Sequence, residues 1–246
     1  DPTGLPRSSL PTSVRHVKAL ILAAGTGSRL APLTNDRPKC MVEVAGRPML
    51  IRCLTQLEAA GVERAAIVVG YREEAIRAAV GERFGRMAVE YVSNPDYATT
   101  NNLVSLYLAK PVVDDDILLV ESDLLFDDAL FSALLAEPGE NVAVVDAFGP
   151  GMDGTVILEA APKVAARFVL KRDQGPGFDY SAAWKTVNVY KLSRELMQKG
   201  FFPEAAQWIA ETRTDQYYEA VIAALVEKGA PMSLLRMGAM RWAEVD

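Results

Sequence analysis

The chain has 246 residues, 50% of them hydrophobic and 24% charged, with a formal net charge of −6 and a pI near 5.0. Such values suit a globular chain that buries a full core, while the acidic balance argues against a broad nucleic-acid surface, which shows as a basic patch or a high pI. No apolar run approaches the roughly 20 residues of a membrane helix and no basic segment with an apolar signal core opens the chain, so a cytoplasmic soluble protein is the expectation.

In chain order, residues 1–16 are rich in Pro, Ser and Thr without apolar periodicity and read as a flexible leader outside the fold. The nearly continuous apolar run from Val17 to Leu22, ending at Gly25, predicts a strand buried on both faces, as in a parallel sheet. A helix over 49–60, stopped by Gly61, and a second apolar run over 65–69, ending at Gly70, complete a βαβ unit. The alternation continues with a helix over 73–80, a strand over 88–92, a helix over 102–109 and a strand over 117–120. It predicts a Rossmann-like, doubly wound α/β fold with a mixed, mainly parallel sheet, whose ligands sit beyond the carboxyl ends of the strands. After residue 140 the texture changes, with strands read at 141–148, 155–158, 168–170 and 185–190 and helices near 194–198, 205–213 and 216–228. One domain over 17–246 with two halves, 17–140 and 141–246, is the organisation expected.

The two cysteines, Cys40 and Cys53, are too few for a disulfide framework or a thiolate-rich zinc site and read as structural. The single histidine, His16, leaves chemistry to Asp, Glu, Lys, Arg and backbone amides.

The most informative stretch is Leu22-Ala23-Ala24-Gly25-Thr26-Gly27-Ser28-Arg29, followed by Pro38-Lys39. Its glycines allow amide groups to approach a triphosphate closely, and Arg29 and Lys39 add positive charge. No Gly-Lys-Ser/Thr follows, and the third glycine of a dinucleotide fingerprint is missing. A bare Gly-x-Gly after a strand is often only a turn. With Arg29 and Lys39 at their offsets, however, the stretch closely resembles the signature of the nucleotidyltransferase family that makes sugar nucleotides and related activated head groups. The resemblance implies a nucleotidyltransferase type A-like fold with a small acceptor-binding subregion. It implies that backbone at Ala23 to Gly25 holds the base and that Gly27 to Arg29 hold the triphosphate, with Leu22, Thr26 and Gly70 beside them. Lys39 then neutralises charge developing between the α-phosphate and the leaving pyrophosphate. Transfer of this kind asks little covalent chemistry of the protein and depends on in-line positioning and charge neutralisation.

Glu121-Ser122-Asp123 follows the apolar strand at 117–120. Carboxylates at a strand's carboxyl end suit a hard cation that keeps waters and bridges phosphate oxygens, so Mg²⁺ is the expected cofactor. Alone, such a tripeptide is also an ordinary surface turn. It resembles the family's Asp-x-Asp element with Glu121 in the first place, which implies that Asp123 is a catalytic metal ligand and that Glu121 supports the nucleotide. The family's second ligand comes from a segment resembling Trp242-Ala243-Glu244-Val245-Asp246; Asp246 takes that role, with Glu244 as the alternate on the same strand face. The domain is expected to continue beyond Asp246.

The stretch from Asn94 to Ala109 is rich in amides and hydroxyls where a loop enters a helix, groups that read base edges or simply cap and turn. It departs from the Gln-Pro-x-Gly element of hexose-1-phosphate transferases and resembles the Asn-Asn-x-x-Ser-Leu element of cytidylyltransferases acting on choline phosphate and aminoethylphosphonate. CTP is the implied donor, with Asn94, Thr100, Asn101 and Ser105 beside it. Gly151 to Val156, Trp184 to Tyr190 and Tyr217 to Glu219 resemble the same branch, so the likeness covers about residues 17–246. It implies an acceptor site in which Lys185 clamps phosphate or phosphonate oxygens while Asp153 and Asn188 shape the pocket. Tyr180, Trp184 and Tyr217 would surround a cationic head group and Glu219 would pair with an amine. The expected partners are CTP and a small phosphonate or phosphorylated acceptor, with no nucleic acid and no membrane; a homodimer and a fused pathway domain after residue 246 are left open. The alternatives are an NDP-sugar or inositol-phosphate nucleotidyltransferase and a non-catalytic nucleotide-binding module.

Overall fold

Every residue of the first strand, Val17–Ala23 (β1), is buried. The computed structural model describes residues 17–246, so the leader read at 1–16 and His16 lie outside the described residues. Along β1, Leu20 and Leu22 enter one apolar layer and Ala19, Ile21 and Ala23 the other. Successive strand side chains point to opposite faces, so a strand covered on both sides needs apolar residues throughout.

A short hairpin, Glu43–Val44 (β2) with Arg47–Pro48 (β3), leads into Met49–Ala59 (α1), Arg64–Val69 (β4), Glu73–Val80 (α2), Arg83–Phe84 (β5) and Met87–Ser93 (β6). Asn102–Leu108 (α3), Asp116–Glu121 (β7), Leu124–Phe126 (β8) and Leu130–Ala136 (α4) follow. Strands β6, β4, β1 and β7 lie side by side in that order, all parallel. The chain steps outward from β1 to β6 and then returns to β7 on the other side of β1, which places the reversal, and with it a ligand crevice, at the carboxyl ends of β1 and β7. Leu50, Leu54 and Leu57 of α1, Ile76 of α2 and Phe131 of α4 seal one sheet face. Leu103 and Leu106 of α3 lie in the opposite layer.

The second half adds Val142–Ala147 (β9), Val156–Ala161 (β10), Val164–Val169 (β11) and Ala183–Leu192 (β12), then a π-wound segment, Leu196–Phe201, continuing as Phe202–Ala210 (α5). Tyr218–Glu227 (α6), Ser233–Arg236 (β13) and Trp242–Glu244 (β14) complete the described chain. Phe202 and Trp208 of α5 and Val221 and Leu225 of α6 pack with α3. The expected mixed sheet is present, ten strands in the order β10-β11-β13-β9-β12-β7-β1-β4-β6-β5. Its parallel pairs are those of the first half and β9 with β13, whereas β12 runs antiparallel to both β7 and β9.

One edge of β12 is shared. Residues 189–192 pair with β7 and residues 183–185 pair with β10. Between those partners Asn188 takes a left-handed φ of 61° and the β12–β9 register shifts, a bulge that opens the sheet. Because β10 also pairs β11, which pairs β13, which pairs β9, these strands close a ring beside the parallel sheet.

The structure corrects several element readings. Helix α4 and strand β13 were not anticipated, and β11 begins at Val164 rather than 168, because its first residues are small or exposed and only Phe168 and Val169 are buried. Helix α5 starts earlier than expected, at Phe202, running on from the π-wound segment with Pro203 near the junction. Among the described residues no helix is long and apolar enough to cross a membrane.

Candidate active site

β1 releases the chain into the glycine loop at the sheet's reversal point. Gly27 adopts a φ of 62°, and a Cβ there would lie 2.7 Å from Lys39 Cβ. The carbonyl of Gly27 accepts a hydrogen bond from Thr34 Oγ1 at 2.9 Å, which folds the segment from 28 to 38 back on the loop. The missing side chain at Gly27 therefore lets Lys39 cross the loop toward β7. Gly70, at the end of β4, is equally constrained: a Cβ would sit 2.8 Å from the Ala24 carbonyl and 2.8 Å from Tyr97 Cβ. Gly70 thus seats the loop from behind.

Lys39 Nζ lies 2.9 Å from Asp123 Oδ2 and 2.8 Å from Asp246 Oδ1, and Arg29 pairs with the other Asp246 oxygen. Burial pulls the Lys39 ammonium down, but the Asp123 and Asp246 carboxylates outweigh it and its pKa is raised. Asp246 is brought in by the β14–β8 pairing and by the Val245 amide donating to the Asp123 carbonyl at 3.0 Å. Asp123 Oδ1 is buried with no hydrogen-bond partner among the described residues. A buried carboxylate oxygen left without a donor fits a cation ligand. No group of three or more metal-capable side chains occurs among the described residues. Two carboxylates suit Mg²⁺, which keeps waters and takes the rest of its shell from phosphate oxygens.

Two cavities meet at this point. The smaller, about 170 Å³, is bounded by the loop from Leu22 to Gly27, by Lys39, and by Thr100, Asn101 and Ser105 across the β6–α3 connection. The larger, about 530 Å³, runs under the β12 bulge between Thr155, Lys185, Asn188 and Glu219, with Asp153 and Tyr217 at its rim. Glu121 and Asp123 line both. Thr26 and Ser28 line neither, and Arg29 faces the larger cavity.

Lys185 is 3% exposed, and its Nζ donates to the Thr186 carbonyl at 2.6 Å. Glu219 is 7% exposed and accepts from Thr155 Oγ1 at 3.0 Å and Tyr190 Oη at 2.9 Å. Burial pushes the Glu121 carboxyl well above the ordinary glutamate range, and the charges of Asp123 and Glu219 push the same way.

Some sequence-assigned residues lie elsewhere. Asn94 is 1% exposed and spends its side chain inside the protein, donating to Ser105 Oγ at 3.0 Å and accepting from the Asp96 amide at 3.0 Å. Tyr180 stacks on Phe148 with centroids 4.0 Å apart, away from the larger cavity. Trp184 carries the Arg236 guanidinium over its face at 4.1 Å. Tyr97 and Asn102 are among the cavity residues that escaped the sequence assignment. Asn102 donates to Glu121 at 3.3 Å and accepts from the Tyr218 amide at 3.0 Å, tying α3 to α6. Its place in the Asn-Asn pair was the available signal.

Residues 19–177 match the family model described as the MobA-like NTP transferase domain. The chain belongs to that family. Over 231 residues, 94% of this NTP transferase chain and 37% of the relative, it is 36% identical to the CMP-5'-(3-aminopropyl)phosphonate synthase of Streptomyces rubellomurinus. It is 38% identical over 118 residues, 48% of the chain and 47% of the relative, to the 2-aminoethylphosphonate cytidylyltransferase of Lancefieldella rimae. The NTP transferase chain thus spans less than half the length of either relative. Its fold is shared with the CTP:phosphocholine cytidylyltransferase of Streptococcus pneumoniae, at a TM-score of 0.79 and 22% identity over 94% of this chain and 93% of the other.

Proposed function

We propose that this NTP transferase domain is a Mg²⁺-dependent cytidylyltransferase, moving CMP from CTP to a small phosphonate or phosphate head group of the aminoalkylphosphonate or phosphocholine kind and releasing pyrophosphate. The observation that carries the reading is the junction of the two cavities at Asp123, where Lys39 and Asp246 converge. The cytidylyltransferase names of the relatives support the choice of donor and acceptor. We assign the 17–140 half to the nucleotide and the 141–246 half to the acceptor, with a cytoplasmic setting.

In this reading the amides from Ala23 to Gly27 and the polar wall of Thr100, Asn101 and Ser105 hold CTP in the smaller cavity. Lys185 holds an acceptor oxygen in the larger one, aimed in line at the α-phosphorus, and Glu219 holds the acceptor's cationic end. Lys39 and Arg29 take up charge as it passes to the leaving pyrophosphate, the step in which preorganised cations contribute most. Asp123 and Asp246 would hold Mg²⁺, which when bound supplies Lewis-acid neutralisation of phosphate oxygens.

The test is pyrophosphate release with Mg²⁺ and each of CTP, UTP, GTP, ATP and dTTP against aminoalkylphosphonates, phosphocholine, inositol phosphate and sugar 1-phosphates. Turnover confined to CTP with an amine-bearing phosphonate or phosphocholine supports the reading. Turnover with UTP or dTTP and a hexose 1-phosphate overturns donor and acceptor together, and CTP binding without pyrophosphate release from any acceptor points to a non-catalytic module.

A further inference from the structure

Strand β14 lies outside the main sheet and pairs only with the short β8, yet Asp246 just beyond it must reach Lys39 and Arg29. Three paired strand residues are little to hold such a carboxylate to the tolerance that phosphoryl-type transfer requires. A second tie is present. The indole Nε1 of Trp242 donates to Asp146 Oδ2 at 2.8 Å, and Asp146 sits on β9 directly opposite Lys185 in the β9–β12 register. The Lys185 ammonium lies 5.8 Å from the centre of the same indole ring. Gly154 closes over that ammonium from the other side, where a Cβ would come within 3.2 Å of Nζ.

We infer that Asp146 is a positioning residue: through its hydrogen bond to Trp242 it fixes the β14 segment and the ring against which Lys185 rests, so one contact aligns Asp246 on the nucleotide side with Lys185 on the acceptor side. The inference rests on the assignment of the two cavities made above. Asp146 itself lies in no sequence motif, because it sits near the end of an ordinary apolar strand and meets Trp242 from 96 positions away. The bond is also the single hydrogen bond described between β14 and the second-half sheet; without it the segment is held from the first half only, by β8, the Arg241–Asp127 contacts, the Val245 amide and the pairing of Asp246 with Lys39 and Arg29.

The test is a double-mutant cycle in the full chain, Asp146→Ala, Trp242→Phe and the pair together, read by hydrogen–deuterium exchange at residues 242–246 and by steady-state pyrophosphate release. Each single variant is expected to exchange faster over that segment and to lose about 10–100-fold in kcat, the usual effect of removing a partner that orients a ligand. Because both variants delete the same bond, the double variant is expected to lose no more than the worse single one. Additive losses in the cycle, or exchange at 242–246 unchanged in both single variants, would overturn the inference. The exchange arm needs no substrate, so a protein without turnover on any acceptor would sink the proposed function while still testing the clasp.

Discussion

Lys39 is held 2.9 Å and 2.8 Å from two carboxylates that would otherwise repel each other, and its raised pKa keeps it charged throughout the neutral range. In the proposed reaction its removal deletes a fixed cation from the transfer path, so Lys39→Ala is expected to lower kcat by about 10²–10³, the range for loss of one preorganised donor. Steady-state pyrophosphate release checks the loss, and a thermal midpoint within a few degrees of wild type separates it from unfolding. The neighbouring thiol behaves oppositely. Burial pushes both Cys40 and Cys53 up to about 12, so almost no thiolate forms at pH 8. Thiol titration of the native protein is expected to find neither cysteine and to find both in denaturant; fast native reaction at Cys40 would show an open loop. At this scale Lys39 and Asp123 stood out as candidates because their types and offsets are chemically restrictive. The side chain of Asn94, expected beside the nucleotide, bonds within the protein instead; an amide that reads a base and one that closes a turn look alike until its partners are known.

Among the elements, the glycine loop shows how local geometry serves the site. Gly27→Ala introduces a Cβ at a φ of 62° and against Lys39, so it combines a backbone penalty of about 1–2 kcal/mol with displacement of the ammonium proposed to act in transfer. Activity is expected to fall further than that stability loss alone explains, measured as kcat beside a denaturation midpoint; a variant with full turnover would remove the close approach from the argument. Strands β1, β4 and β7 were legible because burial on both faces writes a continuous apolar run. The first half of β11 was not, since VAAR at its start is largely exposed and writes no buried run. The bulge at Asn188 also has no sequence signature, because it arises where β12 exchanges β7 for β10 along one edge.

Across the whole molecule, the end of the sheet opposite the cavities is pinned by charge. Lys18, 3% exposed in β1, pairs with Glu90 of β6 at 2.8 Å and with Asp114 ahead of β7 at 2.7 Å, and Arg64 of β4 reaches Asp114 at 2.9 Å. The hydrogen bond from Lys18 dominates over the upward pull of partial burial, and with Arg64 it lowers the Asp114 carboxyl to about 2. A carboxylate depressed on folding stabilises the native state above its ordinary pKa and loses that contribution as pH falls. Stability is thus expected to drop between about pH 4 and pH 2, less steeply in Lys18→Met; denaturant midpoints across that range provide the check, and parallel curves for the two proteins would count against the pairing.

By itself the sequence determined the alternation of buried strands and helices, the loop from Leu22 to Arg29 at a strand end, and the kinds of side chain available for phosphate chemistry. These follow from local rules: apolar period, glycine geometry and the scarcity of other reactive groups. Only the tertiary structure decided which of those side chains converge. Asp246 meets Lys39 across 207 positions, Glu219 meets Thr155 across 64, and Tyr180 is drawn away into its own aromatic cluster. Such encounters depend on strand order and on the bulge in β12, and neither can be computed from the residues that they bring together.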